Sequence, residues 1–300
     1  MIDPGLQDKV VLITGANNPS GIGAGCARAF AGQGARLFLH GYRLALDGED
    51  KNEPSSASGT HEPSGPGEAF YYQQGNRPLS ETIESIRTSG ILVEGLEGDL
   101  SDPSFIPELY DQAESVIGPV EILVNNAAHW QADTFIPPDQ TLANPAVELW
   151  TDRPEVITAA SIDRHFAVNA RAVVLMMAEF ARRHIDRRAT WGRIINISTA
   201  GAYVFPSEVS YGASKFALEG YTRSAAVELG QFGITVNTIA PGPVQTGWIT
   251  PKLEEQILPG IPMGRAGQPA DIANAVVFLS SEQAAWVTGQ KIFIGGGHGM

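Results

Sequence analysis

The sequence predicts an α/β fold in which a doubly wound parallel sheet forms a single domain. Short apolar segments rich in β-branched residues alternate with segments of helical periodicity, as in strands joined by crossover helices. A glycine-rich turn directly follows the first apolar segment, and no change in composition marks a domain boundary. This pattern is typical of a parallel sheet covered by helices on both faces, with ligands at the carboxyl ends of the strands.

Seven apolar segments are candidates for the strands of this sheet. The first, Lys9 to Thr14 (KVVLIT), runs through the glycine-rich turn into the helical pattern GIGAGCARAFAGQG. The others lie at residues 35–40, 91–100, 121–128, 193–198, 234–240 and 291–297.

Composition limits the classes of function. The 300 residues carry a formal net charge of −13, which disfavours nucleic acid and acidic membrane surfaces as partners, because both need a basic face. No apolar run approaches the ~18 residues of a membrane span, and the first residues lack the basic start of a secretion signal. The one cysteine, Cys26, cannot form an intramolecular disulfide and lies among small residues of the first predicted helix. We expect a cytoplasmic protein.

Two insertions interrupt the alternation of strands and helices. Residues 44–68 are rich in Gly, Pro and Ser, which predicts a long surface loop. Residues 129–160 follow the fourth strand, and their two Trp and several aliphatic residues predict a packed segment. Since a loop that leaves the carboxyl end of a central strand overhangs the ligand site, we interpret 129–160 as a wall or lid of a substrate pocket. A surface excursion without a role in binding is the alternative.

The pentapeptide YGASK, from Tyr211 to Lys215, lies on an amphipathic helix predicted to begin near Glu208. Residues four apart lie above one another on a helix, so a phenol and an ammonium share one face. A nearby cation favours the phenolate and lowers a tyrosine pKa from its usual value of ~10. The pair therefore predicts proton transfer by Tyr211, tuned by Lys215, whereas a surface pair without function is the alternative.

The turn from Thr14 to Gly23 joins the first strand to the first helix. Its glycines allow the backbone to turn tightly and to approach a pyrophosphate, whose charge the helix N-terminus stabilises. The turn therefore predicts a dinucleotide site.

Four motifs in this order resemble those of the short-chain dehydrogenase/reductase family. They are the glycine turn at 14–23, NNAA at 125–128, YGASK at 211–215 and PGPVQT at 241–246, and the resemblance extends from about Gln7 to Gly297. It implies a Rossmann-type fold and an NAD(P)-dependent oxidoreductase that acts on a small-molecule carbonyl or alcohol. Five residues separate Gly15 from Gly21, more than in the usual turn of the family. This is similar to a subgroup related to the 3-oxoacyl-carrier-protein reductases.

The resemblance implies roles for the catalytic residues. Tyr211 would donate a proton to a carbonyl being reduced, or accept one in the reverse direction, and Lys215 would hold the nicotinamide ribose and lower the Tyr211 pKa. Asn169, a polar residue in the apolar stretch HFAVNARAVV, matches the family Asn that holds a water in a proton relay. A hydrogen-bonded core amide is the other interpretation of Asn169.

The hydroxyl that orients the carbonyl oxygen is either Ser198 or Thr199. Aligning the strand NIST with the family pattern selects Thr199, whereas the family spacing counted back from Tyr211 selects Ser198. Thr199 is favoured because side-chain alternation fixes strand register, whereas loops readily lose a residue. Either hydroxyl would donate to the developing oxyanion.

Cofactor choice depends on the end of the second strand, where NAD-selective sites carry an acidic residue. This chain has His40-Gly41-Tyr42-Arg43, with no carboxylate at that place and an Arg that fits a 2′-phosphate. NADP(H) is therefore predicted over NAD(H).

Further cofactor contacts follow from the resemblance, and Trp248 is a candidate wall of the substrate pocket. The matching residues are Gly15, Asn17, Ser20, Gly21, Ile22, Gly23, Arg43, Asp99, Leu100, Asn125, Ala127, Tyr211, Lys215, Pro241, Gly242, Val244 and Thr246.

Other kinds of site are disfavoured. The six His show no paired metal-ligand spacing, so no metal site is expected, and Ser198 lacks the strand-turn-helix elbow of a hydrolase. Family resemblance suggests a homotetramer or homodimer built through the helices that carry Asn169 and Tyr211 and through the last strand. A dinucleotide-binding regulatory or interaction protein without chemistry is the alternative function.

Overall fold

Seven parallel strands form the central sheet of the computed structural model, which describes residues 3–43, 65–88, 90–149, 151 and 153–299. The strands in chain order are β1 (Val10–Ile13), β2 (Arg36–Gly41), β3 (Val93–Glu97), β4 (Ile122–Asn125), β5 (Asp133–Thr134), β6 (Glu155–Val156), β7 (Gly192–Ile197), β8 (Ile234–Pro241) and β9 (Lys291–Ile294). The sheet order is β3-β2-β1-β4-β7-β8-β9, and β5 pairs with β6 in a small separate sheet. Each of the seven predicted segments overlaps one strand of the large sheet, which confirms the doubly wound α/β prediction.

Helices cover both faces of the sheet. They are α1 (Ile22–Ala31), α2 (Glu68–Gly75), α3 (Leu79–Arg87), α4 (Phe105–Val116), α5 (Ala159–Phe166), α6 (Val173–Asp186), α7 (Val209–Leu229), α8 (Pro251–Ile257) and α9 (Pro269–Ser280). A π-helical turn, Ala167–Ala172, joins α5 to α6, and a 3-10 turn, Ala200–Tyr203, lies between β7 and α7.

Successive side chains of a strand point to opposite faces of the sheet and pack into two separate hydrophobic cores. In β1, Val11 and Ile13 contribute to the core that contains Phe30 of α1, whereas Val10 and Leu12 contribute to the opposite core. All four residues of β1 are buried, because helices cover both sides of a parallel sheet. Burial on both sides explains why the strands read as continuous apolar runs.

The position of β1 determines where ligands can bind. It lies between β2 and β4, and the sheet grows in opposite directions on its two sides. At such a switch point the crossovers diverge and leave a crevice at the carboxyl ends of the strands.

The described part of the 129–160 insertion lies at this end of the molecule. Most of the predicted loop at 44–68 is outside the described residues, and α2 begins at its end. Residues 129–160 contribute β5, β6 and a 3-10 turn, Pro145–Leu149. Among the described helices, none combines the length and apolar character of a membrane span.

The glycine turn after β1 depends on close backbone packing. Gly15 has φ +69°, and a Cβ on Gly23 would lie 2.3 Å from the Gly15 carbonyl oxygen. That oxygen belongs to the backbone and has no freedom to move aside, so only glycine fits at position 23.

We expect Gly23→Ala to lower the free energy of unfolding by about 3 kcal/mol, because the methyl group overpacks the turn. Gly220→Ala on α7 is the matched control, since a Cβ there meets no atom within 4 Å. It should raise stability by roughly 0.5–1 kcal/mol through helix propensity. Urea denaturation of both variants measures the effect, and equal stability changes would contradict this account of the turn.

Candidate active site

A cavity of about 2200 Å³ opens at the carboxyl ends of the central strands. Most of the residues expected from the sequence line it: Gly15, Asn17, Gly21, Ile22, Asp99, Leu100, Ala127, Ser198, Thr199, Tyr211, Lys215, Pro241, Gly242, Val244 and Thr246. Residues Ser20, Gly23, Arg43, Asn125 and Asn169 are not part of its lining in the described structure. The fold thus brings the glycine turn and the YGASK helix to one cavity.

The N-terminus of α1 faces this cavity through Gly21 and Ile22. Its N-cap residue, Gly21, provides no side chain to cap the helix, and the first turn carries no acidic residue. The free N–H groups of a first turn attract an anion, and the glycines allow close approach. The turn therefore fits the diphosphate of a dinucleotide.

Helix α2 bridges the glycine turn and the segment after β8. The Asn17 amide donates to the Gly75 carbonyl oxygen at the end of α2, and the Gly67 N–H donates to the Gly247 carbonyl oxygen at 2.9 Å. Tyr71 and Tyr72 of α2 line the cavity. The loop predicted from the sequence ends at residue 68, and the aromatic wall that follows it on α2 was not predicted.

Tyr211 and Lys215 lie together on α7. Lys215 is 1% exposed, and its Nζ donates to the Ile197 carbonyl oxygen at 2.8 Å and lies 5.9 Å from the centre of the Tyr211 ring. Burial lowers the Lys215 pKa to about 8. Burial is the main cause that raises the pKa of Tyr211, and the nearby Glu208 and Tyr71 raise it further. The expected lowering of the Tyr211 pKa is not found in this structure, because loss of solvent around the phenol outweighs the nearby ammonium.

Ser198 and Thr199 differ in their hydrogen bonds. Ser198 is 4% exposed, and its Oγ donates to Glu219 Oε1 at 2.7 Å. Lys291 Nζ on β9 pairs with the same carboxylate oxygen at 2.7 Å. Thr199 Oγ1 accepts from the Gly201 N–H at 3.3 Å, its one hydrogen bond in the described structure. The hydroxyl proton of Ser198 is therefore engaged, whereas that of Thr199 is available to an acceptor.

Asn169 lies in the π-helical turn and is fully buried. Its Oδ1 accepts from the His129 N–H at 2.8 Å, and its Nδ2 donates to the His129 carbonyl oxygen at 2.8 Å and to Ser214 Oγ at 3.0 Å. The side chain thus ties the start of the 129–160 insertion to α7. These contacts are those of a core amide, and the proton relay stays a prediction.

The insertion also anchors the first turn of α7. Asp133 is fully buried, and its oxygens accept from the Ser210 N–H at 2.8 Å and from Ser161 Oγ at 3.1 Å. A carboxylate at this place satisfies a free N–H and complements the helix dipole. The insertion therefore positions Tyr211 besides forming part of the cavity wall.

Glu208 is a further site residue whose chemistry the sequence analysis missed. It is 4% exposed, lines the cavity, and its Oε2 accepts from the Trp130 indole N–H at 2.5 Å. Burial raises the Glu208 pKa to about 7, Asp133 adds to the rise, and the Trp130 hydrogen bond opposes it. Glu208 is the N-cap residue of α7, three positions before Tyr211, and its burial beside Trp130 depends on the 129–160 insertion, which has no local signal in the sequence.

At the end of β2, Arg43 is held by β3. Its Nε donates to Glu97 Oε2 at 2.8 Å, and the Arg43 side chain is 55% exposed. His40 is buried with Nε2 at 2.8 Å from the Gly98 carbonyl oxygen, and burial lowers its pKa to about 4. His40 is therefore neutral, whereas Arg43 is a cation at this strand end.

The described residues contain no group of three or more His, Cys, Asp or Glu that could hold a metal ion. Burial raises the pKa of the Cys26 thiol to about 12, so this cysteine is unreactive.

Comparisons with known proteins agree with the motifs. A family model described as Enoyl-(Acyl carrier protein) reductase matches residues 67–298. The chain is 33% identical over 293 residues to an uncharacterised oxidoreductase of Bacillus subtilis, YjdA, with 97% of each chain covered. It is 32% identical over 233 residues to the 3-oxoacyl-(acyl-carrier-protein) reductase FabG of Staphylococcus aureus, covering 76% of this chain and 86% of the relative. A solved short-chain dehydrogenase/reductase from Serratia marcescens superposes with a TM-score of 0.73 at 26% identity, covering 98% of this chain and 99% of that one.

The raised pKa of Glu208 makes stability depend on pH. Between its unfolded value near ~4.3 and its folded value of about 7, the native state binds more protons, so stability falls as pH rises. Glu208→Gln cannot ionise, and its stability relative to wild type should therefore increase from about pH 5 to about pH 8, by up to roughly 3 kcal/mol.

Thermal unfolding at both pH values tests this expectation. Glu228→Gln, at an exposed position on the same helix, is the control and should show little change with pH. A pH-independent difference between Glu208→Gln and wild type would show that Glu208 is ionised in the folded protein.

Proposed function

The chain belongs to the short-chain dehydrogenase/reductase family, and on that premise we propose that it is an NADP(H)-dependent oxidoreductase that interconverts a ketone and a secondary alcohol. The observation that carries the proposal is the meeting of Tyr211, Lys215 and Thr199 in one cavity with the glycine turn. When bound, the nicotinamide cofactor supplies or accepts the hydride.

Tyr211 is proposed to exchange the proton. Because burial keeps its phenol protonated at neutral pH, Tyr211 has a proton to donate to the far more basic alkoxide that forms on reduction. Lys215 lies over the ring and supplies positive charge that favours the phenolate after transfer. Its hydrogen bond to Ile197 fixes the ammonium at the end of β7.

Thr199 is proposed to orient the carbonyl oxygen. Its hydroxyl proton has no acceptor among the described residues, so it is free to donate to developing negative charge. Ser198 is proposed to act structurally, because its proton is given to Glu219.

Cofactor residues follow from the same lining. The turn residues Gly15, Gly21 and Ile22 are proposed to hold the diphosphate, and Asp99 and Leu100 the adenine. The segment from Pro241 to Thr246 is proposed to embrace the nicotinamide. Asn125 is proposed to support the cofactor site without lining the cavity. Its Nδ2 donates to Asn196 Oδ1 at 2.8 Å and so joins β4 to β7.

Among possible substrates, 3-oxoacyl thioesters are the first to test, since a relative with 32% identity is a 3-oxoacyl-(acyl-carrier-protein) reductase. A dinucleotide-binding protein without chemistry is the second candidate. The open cavity beside Tyr211 favours the enzyme over this alternative.

Assembly as a homodimer or homotetramer and residence in the cytoplasm stay predictions. Apolar side chains at Phe216 and Val227 of α7 and at Phe293 of β9 are 46%, 84% and 47% exposed, which supports contacts between copies at these elements.

Thr199→Ala should lower kcat roughly 100-fold or more, because an oxyanion donor is lost, with little change in NADPH affinity. Ser198→Ala is the matched variant and should retain turnover while losing about 1–2 kcal/mol of stability with its buried hydrogen bond. NADPH oxidation with a ketone panel, together with thermal unfolding, separates the two roles. The reverse assignment would follow if Ser198→Ala abolished turnover and Thr199→Ala did not.

Equal rates in wild type and Tyr211→Phe would favour the dinucleotide-binding protein without chemistry.

NADPH should be preferred over NADH, and Arg43→Ala should weaken NADPH binding roughly tenfold or more while leaving NADH binding unchanged, because only the 2′-phosphate contacts the guanidinium. Arg182→Ala is the control, since the Arg182 side chain on α6 is also 55% exposed and pairs with Glu179 and Asp186 of its own helix. Fluorescence titration with both cofactors measures these affinities. Equal affinities for NADPH and NADH in wild type would contradict the assignment.

A further inference from the structure

We propose that Glu208, fixed by Trp130, selects carbonyl substrates that carry a hydrogen-bond donor, either a hydroxyl or a protonated amine, on a carbon near the reacting carbonyl. This inference rests on the proposed function and deepens it, because it names the substrate class that the cavity accepts.

One oxygen of Glu208 has no partner in the described structure. Its Oε2 accepts the Trp130 N–H at 2.5 Å, whereas no described residue donates to Oε1. The residue is 4% exposed and lines the cavity with Trp130 and Tyr211. Oε1 is therefore accessible from the cavity, and a ligand donor that replaces water there forms a hydrogen bond to a carboxyl group, which is worth more than one to a neutral acceptor.

The one structural contact of the Glu208 side chain in the described structure is the hydrogen bond from Trp130, which joins the 129–160 insertion to the start of α7. Glu208 stands at the N-cap position of α7, yet its side chain accepts no backbone N–H of that helix. In the first turn of α7, the Ser210 N–H instead donates to the Asp133 carboxylate. Glu208 also forms no ion pair with any described residue. In the described structure, neither capping nor ion pairing therefore occupies Oε1, which is left for a ligand in the cavity.

The position of Glu208 sets where the donor lies on the substrate. Glu208 is the N-cap residue just before α7 and lines the same cavity as Tyr211 in the first turn of that helix, near enough for its charge to raise the Tyr211 pKa. A substrate whose carbonyl oxygen meets Tyr211 therefore presents a substituent on a neighbouring carbon to Glu208. Glu208 and Glu68, both in the lining, disfavour an anionic substituent at this place.

Aromatic residues in the lining determine suitable probes. Tyr71, Tyr72, Trp130, Phe205 and Trp248 surround the cavity and suit an aryl group. The probes are phenylacetone, its derivatives with a hydroxyl or an amino group on the carbon between ring and carbonyl, and phenylpyruvate as the anionic analogue.

The experiment measures kcat/KM for each probe with NADPH in wild type, Glu208→Leu, Glu208→Gln and the surface control Glu228→Gln. Wild type should prefer a donor-bearing ketone over phenylacetone roughly tenfold or more and should disfavour phenylpyruvate. Glu208→Leu should remove the preference, and Glu228→Gln should keep it. Glu208→Gln retains an acceptor without charge, so it should keep a preference for the hydroxyl but lose one for the amine.

Failure of this inference and failure of the proposed function give different results. Turnover with the same donor preference in wild type and Glu208→Leu overturns the role of Glu208 and leaves the oxidoreductase intact. No turnover of any probe in wild type, with NADPH or NADH, counts against the oxidoreductase. In that case, calorimetry compares the binding of phenylacetone with that of its hydroxyl and amino derivatives. Equal affinities in wild type overturn the proposed preference of Glu208 for a hydrogen-bond donor.

Discussion

The hydrogen bond from the Lys215 ammonium to the Ile197 carbonyl oxygen fixes the geometry of the whole site. It joins the middle of α7 to the carboxyl end of β7, so the phenol one helical turn away is held against the sheet. Burying an ammonium is costly unless its protons are satisfied, and this cost means that Lys215 keeps one position. Asp133 fixes the first turn of the same helix from the opposite side, and Tyr211 lies between the two anchors.

Loss of water shifts the protonation equilibria of the ionisable groups in the site in the same direction, toward the neutral form. Burial raises the pKa values of Tyr211 and Glu208 and lowers that of Lys215. In a site with little water, the low dielectric strengthens each polar interaction that a ligand introduces. A ligand that leaves a buried polar group of the site without a partner therefore binds less tightly.

The sequence predicted the sheet well because burial on both faces of parallel strands leaves unbroken apolar runs. It predicted most of the cavity lining for a related reason, since the carboxyl ends of parallel strands converge at one edge. It did not predict the links made by Asp133 and Asn169, which join residues 77 and 40 positions apart and have no local signature. The pKa of Tyr211 was expected to fall because helix spacing reveals its neighbour Lys215, whereas the depth of burial depends on the surrounding fold.

The carboxylate of Glu219 connects the substrate end of the cavity to the rim of the sheet. It accepts the hydroxyl of Ser198, next to Thr199, and pairs with Lys291 on the outermost strand. A displacement of that strand would be transmitted through two short polar contacts to the backbone that carries Thr199. The edge strand and the orientation of Thr199 are thus mechanically linked, although the two lie on different elements.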